Sequence, residues 1–287
     1  MGKNSALFFI CLAVISACAS KPGSPYDRAV ENYQMGHIDE CVDAYREAIV
    51  ADPSDLHAKF NLAVICQDRG KSDEAEALYR KIVEQDPGFA PAWSNLASIR
   101  EKSGLSDEAE KLHRRAMEAD RDGCAAASQF GYFLLRSQRG EEAAVIFKQS
   151  ITKDPHCANA WFGLGEIAEA KGDLRAAVGN YDKALIYNPS DLGACLRSAD
   201  IMISQGDGKR ALELLRKAEN LDPASGDIKL KLGILLREDG KLKDAEKALE
   251  GAKTAGAPQA ECDRELSIVY GRLSEEAAGK AAPVQSF

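Results

Sequence analysis

The side chains with the widest chemical repertoire in this chain are four histidines and eight cysteines. His37, His57, His113 and His156 are scattered along the sequence, and none has a metal-ligand or acid–base partner at a useful spacing. Cys41, Cys66, Cys124, Cys157, Cys195 and Cys262 form no CxxC, so zinc and thioredoxin-like chemistry lack their local signature. No nucleophile elbow, phosphate loop or paired-carboxylate motif occurs. The chain therefore reads as a non-catalytic protein with no cofactor, metal or small-molecule substrate. Its net charge of -8 and pI of about 5.2 argue against a nucleic-acid partner, which needs a concentrated basic face.

Cys11 and Cys18 lie in a different kind of sequence. Lys3 precedes an apolar run from Ala6 to Ala17, which ends Ile15-Ser16-Ala17-Cys18. A basic start, a short apolar stretch and small residues before a cut site make an export signal. The run is too short to span a bilayer, which takes about 20 residues. Its ending resembles the bacterial lipoprotein box, which implies removal of residues 1–17 and acylation of Cys18. An ordinary secretory signal cut at Ala17 or Ala19 is the competing reading. N-myristoylation is disfavoured, because Ala6 stands where that motif wants Ser or Thr. Ala19 follows the cysteine where an aspartate would favour inner-membrane retention. The resemblance thus implies an outer-membrane anchor with the chain facing the periplasm. Residues 18–25 would form a tether reaching roughly 20–25 Å.

What could present a surface from that anchor is a repeat. Asp52-Pro53, Asp86-Pro87, Asp154-Pro155, Asn188-Pro189 and Asp222-Pro223 keep one register of thirty-four residues, broken only at Asp120-Arg121. With the proline at position 32, repeats begin at 22, 56, 90, 124, 158, 192 and 226. Position 8 then reads Ala29, Ala63, Ala97, Gly131, Gly165, Ala199 and Gly233, and position 20 reads Cys41, Ala75, Ala109, Ala143, Ala177, Ala211 and Ala245. Two small residues twelve apart describe two helices crossing where neither can hold a large side chain. Position 24 carries Tyr45, Tyr79, His113, Phe147, Tyr181, Leu215 and Leu249. Trp93 and Trp161 at position 4, with an apolar residue at position 7, give the first helix its stripe. A glycine near position 15 ends that helix, since only glycine enters the left-handed region cheaply. The Asp/Asn-Pro step ends the second helix.

These residues resemble the tetratricopeptide repeat (TPR) across nearly the whole mature chain. The resemblance implies an all-α, right-handed superhelical solenoid of about seven helix-turn-helix repeats over residues 26–259. A capping helix over 260–274 and a flexible tail over 275–287 complete it. In the fourth repeat the glycine is Gly140, two residues late, and Arg121 replaces the proline, so the turn there is expected to be longer or shifted. Cys41, Cys66 and Cys195 fall at packing positions, where a free cysteine behaves as a small hydrophobe. An oxidising compartment would permit disulfides. Cys124 and Cys157 flank one repeat, but repeat-equivalent positions lie about a helix diameter apart, roughly 10 Å, against a limit of about 7 Å between Cα atoms. No pair is assigned.

The remaining signal is surface. Positions 5 and 9 of each first helix are expected to face the inner groove. They carry Tyr26, Phe60, Phe162, Leu196 and Leu230, and Val30, Val64, Tyr132 and Ile234. Large apolar groups in a groove imply a partner protein with apolar side chains, a peptide or a helix. Packing against neighbouring first helices is the alternative. Asn61 and Asn95 at position 6 resemble the groove asparagines with which some TPR proteins hold a peptide backbone. The segment Gln129-Phe130-Gly131-Tyr132-Phe133-Leu134-Leu135 is similar to one in the PilF/PilW-type TPR lipoproteins. These are pilotins that help the type IV pilus secretin assemble in the outer membrane. Together these features imply a protein-binding scaffold that assists assembly of an envelope complex such as that secretin. An adaptor of the NlpI type, docking peptidoglycan enzymes or proteases, is the alternative within this class. A cysteine-dependent redox or enzymatic role is the alternative from another.

Overall fold

The computed structural model describes residues 23–120 and 123–281. The signal segment and Cys18 lie outside the described residues, as does the tether up to residue 22. Among the described residues there are fifteen α-helices and no strand. They are α1 (Pro25–Gln34), α2 (Ile38–Ala51), α3 (Leu56–Asp68), α4 (Ser72–Gln85), α5 (Ala90–Lys102), α6 (Ser106–Ala119), α7 (Ala125–Arg136), α8 (Gly140–Lys153), α9 (Ala158–Ala170), α10 (Leu174–Tyr187), α11 (Leu192–Ser204), α12 (Gly208–Leu221), α13 (Gly226–Glu238), α14 (Leu242–Thr254) and α15 (Gln259–Ala281). Each thirty-four-residue repeat supplies one hairpin, as expected. None of the described helices is long and apolar enough to cross a membrane.

The chain divides into two compact units, the division falling between Phe133 and Leu134 inside α7. In the first unit α2, α3, α4 and α5 each pack against both the helix before and the helix after. In the second, the same chain of neighbours runs from α8 to α15. The small-residue crossings sit within the pairs α1–α2, α3–α4, α5–α6, α9–α10, α11–α12 and α13–α14. Ala29, Ala63, Ala97 and Ala199 are fully buried, and so are all seven residues at position 20, from Cys41 to Ala245. Two of the position-8 glycines leave no room for a side chain. A Cβ on Gly165 would lie 2.5 Å from the Tyr181 ring, and one on Gly233 2.5 Å from Leu249.

The Asp/Asn-Pro junctions have a specific construction. The aspartate caps its helix in an extended conformation, as at Asp52 (φ -136, ψ 93) and Asp86 (φ -135, ψ 94), because a following proline excludes the helical region. Its carboxylate then accepts the backbone N–H two residues on: Ser54 at 2.9 Å, Gly88 at 2.8 Å and His156 at 2.9 Å. The next turn is fastened by position 4. Trp93 and Trp161 each donate their indole N–H to the proline carbonyl six residues earlier, at 2.9 Å, and the Lys59 ammonium does the same to Pro53. The two tryptophans are thus half-buried ties over the turn as well as members of the apolar stripe.

The fourth repeat corrects one expectation. Its internal turn is neither longer nor shifted: α8 begins at position 17, like every other second helix. Gln138 occupies position 15 with φ 60, the place that Gly70, Gly104 and Gly172 fill in their repeats at φ 75, 75 and 78. Gly140 is an ordinary first residue of α8. The irregularity lies earlier, where the proline is missing. Without it Asp120 relaxes to φ -86, ψ 71, and its carboxylate accepts from Ala126 N at 3.0 Å, at the start of α7. Gly123 makes room for this, since a Cβ there would sit 2.1 Å from Asp120 Oδ1.

The end of the chain also differs. The helix expected over 260–274 continues to Ala281, so 275–281 is helical rather than a flexible tail. Glu275-Glu276-Ala277-Ala278 are strong helix formers and nothing stops the helix before Pro283. Cys262, Leu266 and Val269 bury its inner face, while Tyr270 is 45% exposed. Glu265 (5% exposed) faces Arg237 of α13, Oε2 to Nε 2.9 Å, without an aligned N–H···O bond.

Candidate protein-docking surface

In the first unit the candidate residues separate into a wet set and a dry set. Tyr26, Val30 and Phe60 of α1 and α3 are half-buried, as is Tyr132 on α7. Val64 is 6% exposed and belongs to the core, because α3 is covered by α2 on one side and α4 on the other. The Phe60 ring spans two repeats, with centroids 5.8 Å from Tyr79 and 5.3 Å from Phe89. Part of each position-5 aromatic therefore packs within the array, and part remains for a partner.

The asparagines serve the core. Asn61 is 6% exposed, and its Nδ2 donates to Tyr45 at 3.1 Å and to Tyr26 at 3.2 Å. Asn95 Nδ2 donates to Tyr79 at 2.9 Å. A buried phenol needs a hydrogen-bond partner, and position 6 of the next repeat supplies it. Asn61 is thus an interhelix tie rather than an open donor for a peptide backbone. His113 fills the same slot as those tyrosines at 1% exposure, stacked near Phe130 and Phe133 at 5.8 and 5.0 Å. Phe130 and Phe133 are core residues (1% and 2% exposed), so the segment that carries the pilotin resemblance is largely the buried side of α7; Gln129 is its exposed member.

In the second unit Phe162, Leu196 and Ile234 are half-buried, while Leu230, at 6% exposure, is taken into the core. Its helix, α13, is packed by α15 as well as by α12 and α14. Phe162 lies 5.3 Å from Tyr181 and reaches α11, where a Cβ on Gly193 would stand 3.2 Å from its ring. The sequence reading passed over one residue here. Glu166, one turn from Phe162, is half-buried. Burial pushes its carboxyl above the ordinary 4.5, Glu169 and Asp191 add to the rise, and Arg197 opposes it. The visible signal was an acidic residue at position 9, where Val30, Val64 and Ile234 are apolar.

The free thiols do not favour thiolate chemistry. Burial pushes Cys41 up to about 11 and also raises Cys66, Cys195 and Cys262. Cys124 and Cys157 are each disulfide-bonded, where the sequence assigned no pair. Among the described residues no group of three His, Cys, Asp or Glu is placed to hold a metal.

Helix pairs recurring every thirty-four residues within each unit, with small residues at their crossings and half-buried apolar side chains on the first helices, define a helical-repeat protein-binding scaffold. Two family models, both described as tetratricopeptide repeat, match residues 26–90 and 129–194, and residues 67–130 and 202–263. The chain belongs to the TPR family. Its match to the CTR9 homolog protein of Arabidopsis thaliana is 30% identical over 100 residues, 33% of this chain and 9% of that protein. Among solved structures, Pseudomonas aeruginosa pilF is similar with a TM-score of 0.62 at 20% identity, over 74% of this chain and 96% of that one. Yeast Tom70 gives 0.63 at 17% identity, over 91% and 55%, and a tetratricopeptide repeat protein from Parabacteroides merdae 0.54 at 15%, over 86% and 97%. At these identities the likeness is one of fold.

Proposed function

We propose that this chain is a lipid-anchored, periplasm-facing scaffold of the outer membrane whose first-helix faces hold a partner protein during assembly of an envelope complex. The type IV pilus secretin is the partner favoured by the likeness of residues 129–135 to the pilotin segment. The observation that carries the docking reading is the recurrence of half-buried apolar side chains at position 5, Tyr26, Phe60, Phe162 and Leu196, each with one side in the array and the other toward solvent. The anchor reading is supported by Ile15-Ser16-Ala17-Cys18 alone.

The test is crosslinking in intact cells with partner identification, repeated on Phe60→Ser/Phe162→Ser and on Cys18→Ser. Each large buried side chain is worth about 1.5–3 kcal/mol, so the double variant should lose the partner. Its melt should shift by less than the 3–5 kcal/mol typical of a core Phe→Ala. Early unfolding with the partner still held by the folded fraction would make these residues packing only. Cys18→Ser should leave the precursor unprocessed or mislocalised; a normally processed variant in the outer membrane would refute the anchor.

A further inference from the structure

The second unit's docking face differs from the first in charge. At position 9 the first unit carries Val30, the buried Val64, Ser98 and Tyr132, whereas the second presents Glu166 and Asp200 before Ile234. Asp200 is paired with Lys231. Around Glu166 every other charge is engaged: Glu169 accepts from Tyr181 at 2.6 Å and meets Arg197 at 3.5 Å, and Asp191 caps α11 by accepting from Ala194 N at 3.0 Å. Among the described residues Glu166 itself has no hydrogen bond or ion pair. Arg197, the nearby cation that favours its charged form, is shared with Glu169, and a half-buried carboxylate so weakly compensated is costly to keep ionised. Here it stands one helical turn from Phe162, on the face where Phe162 reaches over Gly193 of α11.

We infer that this face, formed by α9 and α11, takes a basic amphipathic segment of a partner: a lysine or arginine pairs with Glu166, and an apolar side chain one turn away rests on Phe162 and Leu196. A cation adds the direct ion pair that Glu166 lacks and the apolar group covers the exposed side of the phenyl ring, so a single segment satisfies both. The first unit, with no carboxylate at position 9, has no such preference. The inference rests on the proposed docking function and adds the chemistry of the partner.

Three labelled helical peptides of one length and one leucine pattern, differing only in lysine, glutamine or glutamate at the polar positions, test it on the full mature chain. The leucine–lysine peptide should bind most tightly and the leucine–glutamate peptide least. Glu166→Gln should weaken the lysine peptide about tenfold or more, as expected for a close charge pair, and leave the glutamine peptide unchanged. Glu213→Gln, at an exposed position of α12, removes the same charge elsewhere and should have little effect. Equal losses in both variants, or equal binding of the lysine and glutamate peptides, would overturn the inference. If Phe162→Ser abolishes the glutamine peptide while Glu166→Gln changes nothing, the charge preference fails and the docking face stands. If neither substitution changes any peptide, both fail.

Discussion

Two glycines of the fifth repeat should respond in opposite directions to the same substitution. Gly165 of α9 and Gly179 of α10 both lie inside helices, where alanine is favoured over glycine by about 1 kcal/mol. Nothing stands within 4 Å of a Cβ built on Gly179, so Gly179→Ala should gain most of that. At Gly165 the added Cβ would sit 2.5 Å from Tyr181 Cε1 and 2.6 Å from Cδ1. The ring cannot swing away: it is fully buried, lies 5.3 Å from Phe162 and donates its hydroxyl to Glu169 at 2.6 Å. Overpacking costs about 1–3 kcal/mol, and a clash with an immobile ring belongs at the upper end. Set against the propensity gain, Gly165→Ala should lose about 2 kcal/mol, which places the two variants about 3 kcal/mol apart. Urea unfolding followed by Trp161 fluorescence in a Trp93→Phe background reads the second unit directly. A Gly165→Ala protein as stable as the parent would refute the reasoning, since the crossing would then have room to relax.

Gln138→Gly should stabilise the chain by up to about 1 kcal/mol in the same assay, because a left-handed non-glycine residue costs roughly 1–2 kcal/mol and glycine returns part of that as unfolded-state entropy. Glu265→Ala should leave Arg237 facing an apolar contact and cost about 3 kcal/mol; hydrogen exchange should rise across α15 before it rises in α8–α12, and uniform exchange would refute the tie. Glu166 holds its proton more tightly folded than unfolded, so its contribution to stability falls as pH rises above the ordinary 4.5. Glu166→Gln should therefore melt higher than the parent at pH 7 and no higher at pH 3.5; a difference independent of pH would show that the carboxylate is not desolvated.

Period and composition were enough to read the hairpins. A small residue at positions 8 and 20 has one physical meaning, a close helix crossing, and α1–α2, α3–α4, α5–α6, α9–α10, α11–α12 and α13–α14 obey it. Depth was harder to read, because helical periodicity fixes the direction of a side chain but not how far its neighbours reach. Leu196 and Leu230 hold the same repeat position, yet α15 touches α13 and only Leu230 is sealed. Backbone exceptions were hidden for a related reason. Gly140 drew the eye because glycine is the usual left-handed residue, while Gln138 kept the register without it. Asn61 and Asn95 were legible as a pattern but not in role, since their partners are phenols sixteen residues earlier.

That pairing explains why the two units present different chemistry. Every repeat must satisfy whatever stands at position 24. In the first unit a buried tyrosine is met by a neutral amide at position 6 of the next repeat, and the face beside it stays uncharged. Phe147 makes no such demand, and the next position 6 closes to Gly163, where a Cβ would lie 2.4 Å from the ring. Tyr181 is answered from its own repeat by Glu169, which pairs with Arg197 at position 6 of the next repeat and so shares a cation that also acts on Glu166. Leu215 and Leu249 need no partner, which leaves Lys231 free to pair with Asp200. The charge on the docking face is thus set from beneath, by how each buried ring is hydrogen-bonded. Replacing a core tyrosine should therefore alter partner preference at a surface that tyrosine never reaches.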